Sequence, residues 1–105
     1  YWAVLNNINS MRAAGGLSAL SPSSSLDAIA NSRCDYQLVN DTLSHDVAQT
    51  PEILAQSQKS ASEVCTGWQN SPSHYAVIMN PNFTQIGICC YFEIGGKTIW
   101  CCTFG

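Results

Sequence analysis

The sequence predicts an α+β domain, with helices leading and an antiparallel β-hairpin closing the chain. Three observations carry this. Apolar residues recur at helical spacing in the first forty positions, beginning Trp2, Leu5, Ile8. Two runs rich in β-branched and aromatic residues, 83–94 and 97–104, end the chain. Gly95-Gly96 lies between them as a two-residue hairpin signal. Helices first and a hairpin last indicate an α+β domain or a layered α-β-α one. The 105 residues, 46% of them hydrophobic, suffice for one domain with one core, expected over 1–105.

The first helix is expected over 2–14, where Trp2, Leu5, Ile8, Asn9 and Arg12 recur, and Gly15-Gly16 stop it. Residues 17–22 form a connector. A serine among Ser23, Ser24 and Ser25 caps a second helix carrying Leu26, Ile29, Ala30, Arg33, Cys34, Gln37 and Leu38, which ends at Asn40-Asp41. Residues 41–50 form a loop containing Ser44-His45-Asp46. Thr50-Pro51-Glu52 reads as a helix start with Pro at the first helical position, followed by a short stretch from Ile53 to Gln58. Ser60 and Glu63 form a capping box for a third helix that runs through Val64 and Trp68. Ser71-Pro72 begins a fourth, short helix that ends near Met79.

Charge is scarce. Only 10% of residues are charged, the net charge is -3, and four residues are basic. No basic patch is therefore available for nucleic acid or anionic lipid, and self-association is weakly opposed. No apolar run approaches the roughly 20 residues of a membrane span. The chain opens at Tyr1 with no charged segment and apolar run ahead of it, which reads as a mature or trimmed protein.

Cys34, Cys65, Cys89, Cys90, Cys101 and Cys102 form an even set in a small chain, which reads as a disulfide framework in an oxidising compartment. Zinc is the weaker reading, because no C-x-x-C is present. A two-residue turn at Gly95-Gly96 would set Cys90 against Cys101 and Cys89 against Cys102. It would make the second a non-hydrogen-bonded pair with side chains close enough for a cross-strand bond. Cys90 and Cys101 would face the other way, to pair together or with Cys34 and Cys65. A bulge would shift this register by one.

The chain holds two histidines, His45 and His74, with Glu52 seven residues after the first and Glu63 eleven before the second. If the helices pack around one cleft, these four converge. Two imidazoles can hold a divalent cation with water in the open positions. The glutamates could orient the rings or act as general base. Taken singly, Glu63 can be only a capping-box residue, and His74 can simply pack. Asn40-Asp-Thr42 and Asn82-Phe-Thr84 are glycosylation sequons, relevant only in a glycosylating host.

These residues in this order resemble the CAP superfamily: cysteine-rich secretory proteins, antigen 5, pathogenesis-related 1 proteins and bacterial secreted domains of the YkwD type. Asn6 to Arg12 with Gly16-Leu17-x-x-Leu20 resembles the family's opening helix, and Leu26-x-x-Ile29-Ala30 its second. Ser44-His45 is similar to its first cleft histidine. Glu63-x4-Trp68-x2-Ser71-x2-His74 and Ile78 to Gly87 are similar to its most specific segment, and Trp100 and Phe104 fall where its last strand carries aromatics. The resemblance implies an α-β-α sandwich whose cleft holds His45, Glu52, Glu63 and His74. Thr50-Pro51-Glu52-Ile53 departs from the family's Gly-Glu-Asn, and the cysteine placement departs from its plant and animal patterns.

What it implies is a secreted domain, not one reaction. The expected role is an extracellular binding module for an unidentified protein or small molecule. Its cleft would carry Zn²⁺ or another divalent cation on His45 and His74, with no catalytic residue assigned. One alternative is a metal-dependent hydrolase with Glu63 or Glu52 as base. The other is a structural subunit of an extracellular assembly. No serine sits in a nucleophile-elbow pattern.

Overall fold

The computed structural model describes residues 1–92 and 98–105. Among them, helices α1 (Trp2–Ala14), α2 (Ser24–Val39), α3 (Ala61–Gln69) and α4 (Pro72–Ile78) surround strands β1 (Ser21–Pro22), β2 (Glu52–Gln56), β3 (Gln85–Phe92) and β4 (Thr98–Phe104). The strands form one sheet in the order β1-β3-β4-β2, antiparallel except where β1 joins β3. Among the described residues, no helix is long and apolar enough to cross a membrane.

Period-two alternation divides the sheet into two faces. Leu54, Cys89, Ile99 and Cys101 meet Ala30 and Cys34 of α2 on one face. Ile53, Ala55, Ile86, Ile88, Trp100, Cys102 and Phe104 meet the apolar sides of α1, α3 and α4 on the other. Three layers result, α2 / sheet / α1-α3-α4, as the expected sandwich requires.

Local chemistry starts and stops the helices where the sequence indicates. Ser23 accepts the Leu26 N–H and Ser60 accepts the Glu63 N–H. Gly16 ends α1 at φ +77°, a conformation glycine takes without steric cost. Gly87 is required by close approach: a Cβ there would collide with the backbone of Leu26 and Asp27, where α2 crosses β3. Beyond the two-residue β1, Asp27 Oδ1 accepts the Ile88 N–H at 3.0 Å and stands in for the missing strand.

Three sequence expectations are corrected. The helix start at Thr50-Pro51-Glu52 is instead the entry to β2. Five residues are too few for a stable helix, and pairing with β4 from Glu52↔Thr103 to Gln56↔Ile99 decides their conformation. The connector contains β1, paired as Ser21↔Gln85 and Pro22↔Ile86. In the hairpin, Cys89 lies opposite Cys101 and Cys102 opposite Ile88, so Cys89 and Cys102 sit on different faces and cannot be the cross-strand pair. The last described pair is Phe92↔Thr98. The expected turn at Gly95-Gly96 lies outside the described residues. All six cysteines are free thiols in this structure.

Candidate functional site

α2 and the loop after it deliver His45. The Gln37 side chain, fully buried, clamps the loop backbone at Ser44 twice: Nε2 donates to the Ser44 carbonyl at 2.7 Å, and the Ser44 N–H donates to Oε1 at 2.8 Å. Arg33 Nη2 donates to the same carbonyl at 2.8 Å. A turn follows, closed by the Ala48 N–H on the His45 carbonyl at 3.1 Å, with Val47 at φ +55°. His45 is thus held at the backbone while its side chain remains 61% exposed.

Glu52, at the start of β2, is the buried centre of the site, with its side chain 2% exposed. Arg33 grips it bidentately, Nε to Oε1 at 2.7 Å and Nη2 to Oε2 at 3.0 Å. This is the strong, planar form of the interaction. His45 Nδ1 lies 2.9 Å from Oε2. A carboxylate paired with arginine only accepts hydrogen bonds, so His45 carries its proton on Nδ1 and keeps the Nε2 lone pair free.

α3 and α4 deliver His74. Trp68 Nε1 donates to the Leu54 carbonyl at 3.1 Å, which ties α3 to β2. Ser71 N-caps α4 by position, but its hydroxyl makes no cap bond; Oγ lies 2.7 Å from His74 Nδ1 instead. Burial lowers the His74 pKa, and the charge of a protonated His45 lowers it further, so the two imidazoles share one electrostatic neighbourhood. A cavity of about 270 Å³ opens beside His74 between Leu43, Leu54, Gln58, Trp68 and Ser71. Gln58 Oε1 is buried without a hydrogen-bond partner among the described residues.

Of the four candidates, the structure links His45 and Glu52 directly and places His74 where the charge of a protonated His45 acts on it. Glu63 takes a different place. It lies on the exposed start of α3, where Oε2 accepts the Lys59 N–H at 3.3 Å as part of the helix cap. Ser71, not Glu63, is the polar partner of His74. Arg33, Gln37 and Ser71 are not marked as site residues by the sequence. The i, i+3 spacing of Ser71 and His74 at the start of one short helix is the available signal for the last.

Among the described residues, no group of three or more His, Cys, Asp or Glu side chains could hold a metal ion. The chemistry of the two rings nevertheless fits a two-histidine site. Each Nδ1 is engaged by an orienting group, Glu52 or Ser71, and in the neutral tautomer protonated at Nδ1 each Nε2 is left as the potential ligand, the usual arrangement behind metal-bound histidines.

Comparison with known proteins places this chain in a family. The chain is 47% identical over 49 residues to the uncharacterised YkwD protein of Bacillus subtilis (strain 168), a match covering 47% of this chain and 18% of that protein. Its fold is similar to an outer surface protein from Borrelia burgdorferi, with a TM-score of 0.88, 23% identity and coverage of 97% of this chain and 88% of that one. It is also similar to an SCP-domain extracellular protein from Bacillus anthracis, with a TM-score of 0.80, 18% identity and coverage of 95% and 38%. Manganese-bound Ac-ASP-7, an Ancylostoma-secreted protein, gives a TM-score of 0.70 at 12% identity, with coverage of 97% and 65%. The model of the cysteine-rich secretory protein family, CAP, matches residues 5–104, and the chain belongs to that family.

Proposed function

We propose that this chain is an extracellular, non-catalytic binding module whose cleft holds one divalent cation between Nε2 of His45 and Nε2 of His74. One observation carries the reading: both Nδ1 atoms are engaged within the chain, so both rings are oriented and keep one nitrogen for a ligand. The cation would leave coordination positions for water or for a donor atom of a bound partner. The cavity beside His74, with the unpaired Gln58 oxygen, offers such a partner a place. The manganese in Ac-ASP-7 supports a cation in this fold, and the outer-surface and extracellular relatives support secretion.

Binding ranks above hydrolysis because Glu52 is committed to Arg33 and His45, while Glu63 sits on the exposed start of α3 in the helix cap. Isothermal titration with Zn²⁺ and Mn²⁺ at neutral pH tests the reading. One cation per chain is expected, with affinity at least about tenfold weaker in His45→Ala and His74→Ala. No binding by the wild type, or equal binding by the double variant, would sink it. A chain that sediments as a stable oligomer without cation would favour the structural-subunit alternative.

A further inference from the structure

The sheet sorts the six cysteines into two sets of three. Cys34, Cys89 and Cys101 share the buried cluster beneath α2. Cys65 and Cys102 lie in the cluster on the opposite face, with Cys90 packed against it. A disulfide spans only about 3.8 Å between Cβ atoms, too little to reach around a layer of hydrogen-bonded backbone. No bond therefore joins the two sets. Each set is odd, so at least one thiol on each face has no partner within the chain.

We propose that folding in the presence of a small-molecule disulfide joins Cys34 to Cys89, stapling α2 to β3 and leaving Cys101 as the unpaired thiol of that face. The cross-strand alternative, Cys89 to Cys101, is less favourable, and within this set the contact of Cys34 is with Cys89. Cys89 and Cys101 are directly opposite across the strands. Gln85 and Gly105 exchange both backbone bonds, at 2.9 and 3.2 Å, and pairs alternate from there. Counting along the ladder makes Cys89–Cys101 a hydrogen-bonded pair, with Cα atoms about 5.5 Å apart and side chains farther separated than in the alternate class. Cys34 approaches from the helix above. Its thiol donates to the Cys89 carbonyl at 3.7 Å and to the Ile99 carbonyl at 3.8 Å. The two thiols also act on each other's titration, which raises the Cys34 pKa and lowers that of Cys89.

Before α2 closes over the sheet, the Cys89 thiolate attacks one sulfur of a disulfide RSSR. A Cys89–S–S–R bond forms and RS⁻ leaves. The expelled RS⁻ takes the Cys34 proton, and the Cys34 thiolate attacks the Cys89 sulfur and releases the second RS⁻, which takes the proton lost from Cys89. Two protein thiols are oxidised to one disulfide and RSSR is reduced to two RSH. The bond closes a loop between residues 55 apart, which restricts the unfolded chain.

The proposal does not rest on the cation site. Its test is to refold the reduced chain with oxidised and reduced glutathione, alkylate the remaining thiols in denaturant, and map the peptides. The expected map links Cys34 to Cys89 and finds Cys101 alkylated. The oxidised chain should melt about 10 °C or more above the reduced one. Cys34→Ser should lose that increment and Cys101→Ala should keep it. A bond to Cys101, a bond crossing the sheet, or six alkylated cysteines in the wild-type map overturns the proposal, whether or not the variants fold.

Discussion

Arg12 and Arg33 are buried almost equally, 1% and 4% exposed, and they settle a buried charge in opposite ways. Arg12 gives its guanidinium to four backbone carbonyls: Ser18 at 2.8 Å, Ile78 at 2.8 Å, Asn80 at 2.9 Å and Phe83 at 3.2 Å. It closes the end of α4 and the turn after it onto α1, and burial lowers its pKa. Arg33 is held by a carboxylate, and the hydrogen bonds to Glu52 raise its pKa against the opposing effect of burial. A charge held by carbonyls fixes the chain. A charge held by a charge also fixes its partner's free lone pairs, and Glu52 uses one of them to orient His45. One arginine is thus a structural tie, and the other reaches the cleft through Glu52.

The largest expected effect breaks the first half of this contrast. Arg12→Ala removes the partner of four carbonyls and should cost about 5 kcal/mol in urea unfolding. Arg12→Lys should recover less than half, because an ammonium cannot span the same fork. A loss under about 1 kcal/mol would mean that water replaces the guanidinium and the tie is not structural.

Glu52→Leu comes next, at about 3–4 kcal/mol, because it strands the buried Arg33 charge. The double variant Arg33→Met/Glu52→Leu should regain most of that stability, since a buried pair is often replaceable by apolar residues. It should not regain cation affinity, which is expected to stay about tenfold down because His45 has lost its orienting group. Recovery of both would remove the distinction between the two arginines.

Gly87→Ala sharpens the comparison from the side of α2, the helix that carries Arg33. A methyl group at this crossing pushes α2 off β3 and should cost about 2–3 kcal/mol. Cation affinity should fall with it if α2 is what holds Glu52 in place. Unchanged affinity in the surviving folded fraction would detach the cleft from the helix.

The smallest effect is electrostatic. Burial, and then His45, hold the His74 pKa below the ordinary 6.5, so the unfolded chain binds this proton at higher pH than the folded one. Stability from this group is complete above about pH 6.5 and is lost as pH falls through the depressed folded value. Melting curves of wild type and His74→Gln across that window check it. The same slope in both would assign the dependence elsewhere.

Much of the fold was legible because its determinants are local. Ser23 and Ser60 announce helix starts by what a hydroxyl can accept, and Trp2, Leu5 and Ile8 mark a helix by period. β2 was not legible, because Glu52 to Gln56 is a short stretch whose conformation is decided by pairing with β4, far along the chain. The hairpin register is displaced by one residue, and with period-two alternation that single residue moves Cys102 to the face opposite Cys89. As candidates, His45, Glu52 and His74 could be named from residue type and spacing. Glu63 was equally readable as a helix cap, and the cap is the bond it makes.

The sequence by itself determined the four helices, the closing pair of strands, the caps, the scarcity of charge and the two imidazoles available for a cleft. Those follow from chemistry within a few residues or from a count over the chain. Only the tertiary structure decided which thiols share a face, that Ser71 stands behind His74, and that Arg33 stands behind Glu52. Each of these joins elements whose relative placement is set by sheet register and layer packing, and no local preference encodes them.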